Sequence, residues 1–308
     1  MRRVLVIGAG GFIGRRVTRA LAASGIMVTA LDSYKPAEEN HVGEWHVADS
    51  TNLGLLKMAA EGCDAAVFLG GYSRPGDRLG SIVGPVQEEI VHPVQVAEAC
   101  ADVGVQRFVF TSSGGTVYGP VETHPTPETE RNCPINSYGV SKLTVEHFLR
   151  LLAKAGAIQS TVLRVSNPYG PGQQARRGQG FIAAAMNAAF SETELVIWGD
   201  GSAVRDFIYI GDVAEAFVAA CRGSNPYDLI NISFGEGASL REICAGVEQV
   251  SGRKLRIRYD GPRGTDVSIS VLANDRAKNL LGWRPRTPLL EGLAKTAEWW
   301  ASRSTDRP

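Results

Sequence analysis

An α/β fold, a doubly wound parallel sheet of Rossmann type with a smaller discontinuous α/β substrate domain, is predicted by three observations. Residues 3–7 form a continuous apolar run, as expected for a strand buried on both faces of a parallel sheet. Gly8, Gly11 and Gly14 follow at once and lead into a helical stretch at 15–23. A second apolar run at 27–31 ends in Asp32. Strand, glycine turn, helix, strand and acid in that order make the βαβ signature of a dinucleotide site.

The bulk composition narrows the field of partners. The chain has 308 residues, a length that suits about two domains. Its 32 basic side chains balance 32 acidic ones. No basic excess exists to neutralise phosphates broadly, so neither nucleic acid nor a membrane surface is an expected partner. Cys63, Cys100, Cys133, Cys221 and Cys244 are scattered, with no Cys-x-x-Cys pair and no histidine cluster. Reduced thiols and no metal site are expected. Met1, Arg2 and Arg3 imitate the start of a signal peptide, but the apolar run stops at Gly8, too short for a signal core or a membrane span. A cytoplasmic location is expected.

Each element then has its reason. Glycines at 8, 11 and 14 suit a tight turn, close approach of a pyrophosphate, and close helix–strand packing. Phe12 and Ile13 stand with the glycines as cofactor-binding candidates ahead of the helix, whose N-terminal amides and positive dipole end favour phosphate. Asp32, about twenty positions after the glycines, suits the hydroxyls of an adenosine ribose. It would repel a 2′-phosphate, so NAD is favoured over NADP. Asp49, after a short strand at 44–48, suits either the adenine amine or an N-cap for a helix starting near Thr51. A fourth strand at 64–69 ends in Leu69, Gly70 and Gly71, letting the chain pass close to the cofactor. Residues 85–103 read as a long helix. A fifth strand at 107–111 runs into Ser112, Ser113, Gly114, Gly115 and Thr116. Hydroxyls at the carboxyl end of a parallel strand lie where open α/β sheets bind ligands.

Tyr138 and Lys142 stand four residues apart, with apolar positions continuing at helical spacing beyond them. A helix puts the phenol and the ammonium on one face, one turn apart. A neighbouring cation favours phenolate and is expected to lower the tyrosine pKa, which makes Tyr138 a proton acceptor for an alcohol. After a strand at 160–165, the turn-dense segment from Asn167 marks the start of the substrate domain. A helix at 180–190 and a short strand at 195–198 follow. Arg205 precedes an apolar strand and suits bidentate diphosphate binding; the alternative is a surface ion pair with Asp206. Helices at 213–222, 240–250, 274–281 and 290–301 and a strand at 228–232 complete the chain. Residues 253–258 alternate basic and apolar side chains, as a solvated edge strand does. The expected division is 1–166, with 204–235 returning to the sheet, for the cofactor, and 167–203 with 236–308 for the substrate.

These motifs together resemble the extended short-chain dehydrogenase/reductases of the NAD-dependent epimerase/dehydratase family. They are Gly8-x-x-Gly11-x-x-Gly14, Asp32, the serine-rich loop, Tyr138-x-x-x-Lys142, Leu163-Arg164-x-x-Asn167-x-Tyr169-Gly170-Pro171, Arg205-Asp206-Phe207-Ile208-Tyr209-x-x-Asp212, and Leu281-Gly282-Trp283-x-Pro285. The layout most resembles UDP-sugar 4-epimerases. The resemblance implies Tyr138 as general acid/base, Lys142 on the nicotinamide ribose, and Asn167 on a nucleoside-diphosphate sugar. It also implies a second arginine, Arg263, with Asp266 in an Arg-x-Gly-Asp-like segment, on the same diphosphate. A homodimer through the helices near 90–103 and 138–153, and a place in surface-polysaccharide precursor synthesis, are implied on the same grounds.

Two departures matter. The position that usually carries the assisting serine or threonine holds Gly114, so Ser113, Thr116 or water must substitute. The helix before the fifth strand carries Glu89, His92 and Pro93 where the family has an asparagine and a Gly-Thr pair; Glu89 is not taken as a ligand. Gly115 and Thr116 also stand where dehydratases carry an Asp-Glu pair, so elimination is disfavoured. The expected reaction is epimerisation, in which Tyr138 removes a sugar hydroxyl proton, hydride passes to NAD, and the keto sugar turns before hydride returns. The alternatives are an NAD(P)H-dependent reductase (or dehydratase) of a nucleotide keto-sugar, and an NAD-binding sensor or scaffold that has lost turnover.

Overall fold

A computed structural model describes residues 1–36, 43–71, 86–174, 180–261 and 267–304. In chain order its strands are β1 (Arg3–Ile7), β2 (Met27–Asp32), β3 (Glu44–Val47), β4 (Ala65–Phe68), β5 (Arg107–Ser113), β6 (Gln159–Val165), β7 (Asn167–Tyr169), β8 (Glu194–Trp198), β9 (Val204–Tyr209), β10 (Tyr227–Ile232), β11 (Gly237–Ser239), β12 (Arg256–Asp260) and β13 (Ile269–Ser270). Seven of them form one sheet in the order β10-β6-β5-β4-β1-β2-β3, every pair parallel.

The apolar run in β1 is buried on both faces because strand side chains alternate. Val4 and Val6 pack with Val17 and Leu21 of the helix Phe12–Ala23 and with Phe217 of the helix Ile210–Cys221. Leu5 and Ile7 pack the other way, against Leu56, Val96, Val145 and Leu149. Full burial of such a side chain is worth about 1.5–3 kcal/mol, so both faces of the sheet need a helical layer. Parallel pairing brings the carboxyl ends of all seven strands to one edge. β1 lies between β2 and β4, so the chain leaves β1 in one direction across the sheet and later crosses back, opening a crevice at that edge.

The smaller unit is built around β9, which pairs with β7 and β13 in parallel and with β11 antiparallel. β8 and β12 form a separate parallel pair, on which Arg256 and Arg258 stay exposed. Its core gathers Tyr169, Ile182, Met186, Ile197, Phe207, Ile243 and Leu293. One boundary differs from expectation. Of residues 204–235, the helix Ile210–Cys221 and β10 belong to the large sheet, but β9 does not return to it. The pattern alone could not separate these, because β9 and β10 are both apolar runs and only their pairing distinguishes them. The serine-rich segment also differs: β5 continues to Ser113 and Gly114–Val117 forms one helical turn. No described helix is long and apolar enough to cross a membrane.

Candidate active site

The crevice at the carboxyl edge is a cavity of about 430 Å³, lined on one side by the glycine turn, Asp32 and Tyr34, and on the other by Leu69, Gly70 and Gly71. The glycines have separate reasons. Gly8 has φ +82°, and a Cβ there would lie 3.1 Å from the Leu69 carbonyl carbon. A Cβ on Gly14 would lie 2.1 Å from the Gly8 carbonyl oxygen, so the helix can seat on β1 only without one. Ile13 packs against the core behind the turn, and Phe12 lines the crevice. Gly11 caps the helix Phe12–Ala23 with no side-chain hydrogen bond. Its first amides and its dipole end are therefore the anion-binding feature of the crevice.

Asp32 accepts from the Gly10 amide at 2.9 Å, and the Tyr34 hydroxyl donates to the Gly10 carbonyl at 3.0 Å. Carboxylate and phenol thus clasp the turn from the end of β2; Tyr34 is a contact that sequence reasoning did not single out. Asp49 and Ser50 line the adjoining wall. Asp49 accepts from the amide and hydroxyl of Thr51, both at 2.9 Å. It is not the helix cap: Asn52 is, accepting from the Leu55 amide, because the helix starts at Leu53. The residues present fit NAD: a turn of bare glycine backbone, an acid at the end of β2 and a helix N-terminus without a side-chain cap meet at this crevice.

Asn136 caps the helix Ser137–Lys154, accepting from the Gly139 amide at 2.8 Å. A Cβ on Gly139 would lie 2.6 Å from the Thr116 carbonyl oxygen, so this glycine lets the Gly114–Val117 turn reach the helix beside Tyr138. The Lys142 ammonium lies 5.4 Å from the Tyr138 ring centre and 5.0 Å from that of Phe110. It is also 3.8 Å from where a Gly71 Cβ would stand, which ties the pair to the crevice. The expected drop in the tyrosine pKa is not what the free chain provides. Burial, and then the Glu89 carboxylate, push the Tyr138 phenol well above the ordinary range. Burial also pulls Lys142 down, opposed by Glu89 and Glu146.

Ser112 does not face the crevice. Its hydroxyl donates to the buried Glu146 carboxylate, because alternation along β5 turns it toward the helix Ser137–Lys154. Any cofactor contact by Ser112 is thereby limited to its backbone. Ser113 ends β5, and Thr116 donates to the Ser113 carbonyl at 3.5 Å. Position 114 carries no side chain for a packing reason: a Cβ there would lie 2.2 Å from Leu272 Cδ1. Asn167 donates to the Asp206 carbonyl at 2.9 Å. Arg205 donates to the carbonyls of Val204 at 2.9 Å and Ser268 at 3.4 Å. Its expected alternative, a surface ion pair with Asp206, fails because Asp206 is fully buried on the other face of β9. Arg263 and Asp266 lie outside the described residues.

Comparison with known proteins bears on this geometry. The profile of the NAD dependent epimerase/dehydratase family matches residues 4–233. A UDP-glucose 4-epimerase of Mycolicibacterium smegmatis is 31% identical over 311 residues, covering 98% of this chain and 99% of the relative. A dTDP-4-dehydro-6-deoxyglucose reductase of Escherichia coli is 30% identical over 302 residues, covering 95% of each. The crystal structure of a UDP-glucose 4-epimerase from Stenotrophomonas maltophila with bound NAD and formylated UDP-arabinopyranose superposes with a TM-score of 0.92, at 26% identity and full coverage of both chains.

Proposed function

The chain belongs to the NAD dependent epimerase/dehydratase family, and from that premise we propose that it is a nucleotide-sugar epimerase inverting C4 of a UDP-sugar through a keto intermediate. What carries this reading is the approach of Lys142, with Tyr138 beside it, to Gly71 in the wall of the crevice that also holds the glycine turn and Asp32. The named activities of the Mycolicibacterium and Stenotrophomonas relatives support it.

In this reading the Gly8–Gly14 turn and the amides at 12–14 hold the pyrophosphate, Asp32 the adenosine ribose, Asp49 the adenine, and Leu69, Gly70 and Gly71 the middle of the cofactor. NAD, when bound, supplies the acceptor and donor of hydride, and its pyridinium charge favours phenolate. Tyr138 takes the C4 hydroxyl proton and later returns it. Lys142 holds the nicotinamide ribose and balances the phenolate. Ser113 and Thr116 stand in for the hydroxyl missing at Gly114. Asn167, Arg205, Arg263 and Asp266 hold the diphosphate, about which the keto sugar turns. A homodimer is part of the same reading: Val140, Phe148 and Leu151 leave exposed apolar surface on the helix Ser137–Lys154.

The test is proton NMR of the protein with NAD and a panel of UDP-sugars. A C4 epimer formed at constant total NADH is expected, and Tyr138→Phe is expected to slow it by about 10²–10⁴-fold. More than a tenth of wild-type turnover in that variant would end the general-base assignment. The Escherichia relative favours a second reading, reduction of a nucleotide keto-sugar. Stoichiometric consumption of NAD(P)H, with no epimer, would select it.

A further inference from the structure

We propose that Glu89 is a positioning residue for the Tyr138–Lys142 pair: Pro93 imposes a π-turn that carries the Glu89 carboxylate up to Gly71 in the wall of the crevice, where it orients the Lys142 ammonium and opposes negative charge on the Tyr138 oxygen. The cause lies in the backbone. Pro93 has no N–H to donate to the carbonyl four residues back, which is that of Glu89, and its ring crowds that carbonyl. The chain answers by widening. Gln87–Val91 is a π-helical turn, and the His92 amide donates to the Gln87 carbonyl five residues back. Such turns insert one extra residue and re-aim the side chains around it. Glu89, the middle residue, is 1% exposed, while Gln87 and Glu88 on the same turn face solvent.

The destination is specific. Glu89 Oε2 lies 3.9 Å, and Lys142 Nζ 3.8 Å, from the point where a Gly71 Cβ would stand. Carboxylate and ammonium therefore converge on the backbone of the cofactor crevice, both nearly excluded from water. A buried carboxylate is costly unless it is opposed by charge or hydrogen bonds, and the Lys142 ammonium brings a positive charge to the same Gly71 backbone. The direction of its influence follows from charge: Glu89 draws Lys142 back up against burial and adds to burial in pushing Tyr138 up.

The neighbouring charged groups have named partners of their own. Glu146, one turn beyond Lys142, is engaged by Arg164 from β6 and by Ser112 from β5. His92, on the turn's far end, bonds to Ser50 at 3.0 Å, and burial pulls it toward the neutral form. The Gly114–Val117 turn carries no titratable side chain. Glu89 is the acid whose charge bears on both members of the pair.

The test is Glu89→Gln in the NAD-loaded protein, read by the ultraviolet absorbance of tyrosinate against pH with the Tyr138→Phe signal subtracted. The Tyr138 ionisation is expected to fall by about one pH unit relative to wild type, the size of one screened charge at close range. The acid limb of kcat is expected to move equally. A role confined to filling space predicts an unmoved ionisation, and that result overturns the proposal. Glu89→Asp keeps the charge, withdraws it by one methylene, and should shift the ionisation the same way by less. If Glu89→Gln does not fold, an unmoved ionisation in Glu89→Asp overturns the proposal alone. The kinetic arm rests on the epimerase reading; the optical arm uses no sugar nucleotide. A shift without turnover would therefore retire that reading and leave the role of Glu89 standing.

Discussion

Gly114 shows how one residue can exclude a catalytic group. Leu272 Cδ1 occupies the space of any side chain there, and the Arg164 carbonyl lies 3.1 Å from the same point. A hydroxyl at 114 therefore requires Leu272 to move. Gly114→Ser alone is expected to destabilise the fold by about 1–3 kcal/mol, the usual cost of overpacking. Leu272→Ala opens a cavity and is costly on its own, by about 2–5 kcal/mol. Together the two should cost less than their sum, because the serine enters the space that the leucine leaves. A urea-denaturation cycle measures this, and simple additivity would show that the two positions do not compete.

At the scale of elements, the helix Ser137–Lys154 is locked to β6 by a buried ion pair. Arg164 donates to Glu146 from Nη2 at 2.6 Å and from Nε at 3.0 Å. Its guanidinium also stacks 4.7 Å from the Tyr118 ring centre. Burial would weaken the Arg164 cation, but the Glu146 bonds more than offset it, holding its pKa above the ordinary value. This anchor lies one turn from Lys142, so it also fixes the helix that carries the tyrosine. Arg164→Met leaves Glu146 buried without its cation and should cost about 3–5 kcal/mol in urea unfolding. The double variant with Glu146→Leu should recover most of that. A loss below about 1 kcal/mol in the single variant would mean that the pair is not what holds the helix.

At the scale of the whole molecule, Asp206 joins the two sheets. Set in β9, it accepts from Ser166 at the end of β6 at 3.2 Å, from the Phe234 and Gly235 amides beyond β10 at 2.9 and 3.1 Å, and from the Leu272 amide at 3.3 Å. Burial nevertheless pushes its carboxyl up to about 6, against those four bonds. An unfolded aspartate titrates near ~3.9. Between these values the folded chain keeps a proton that the unfolded chain has lost. This contribution to stability is present below about pH 4 and is lost as pH rises to about 6, by about 3 kcal/mol at most. Unfolding midpoints followed from pH 4 to 7 should fall more steeply in wild type than in Asp206→Asn. Equal slopes would show that Asp206 does not hold that proton.

Short windows of the sequence carry the local features. The apolar run of β1, the glycine turn, Asp32, and the spacing of Tyr138 and Lys142 depend on backbone sterics and helical or strand periodicity, which act within a few residues. The succession of the large sheet's strands along the chain followed from the same patterns. Tertiary structure decided the rest. Leu272 under Gly114 is a contact between distant parts of the chain. Asp206 alternates inward on β9 while Arg205 points out, so the alternative of a surface ion pair gave way to a buried joint. Ser112 faces Glu146 and not the crevice, a choice of sheet face that the hydroxyl-rich loop did not declare. Pro93 was visible, but only the folded helix shows that its π-turn aims Glu89 at Lys142. The proton affinity of Tyr138 belongs to this second class for the same reason: it is set by burial and by charges brought near in space, and these exist only once the chain has closed around them.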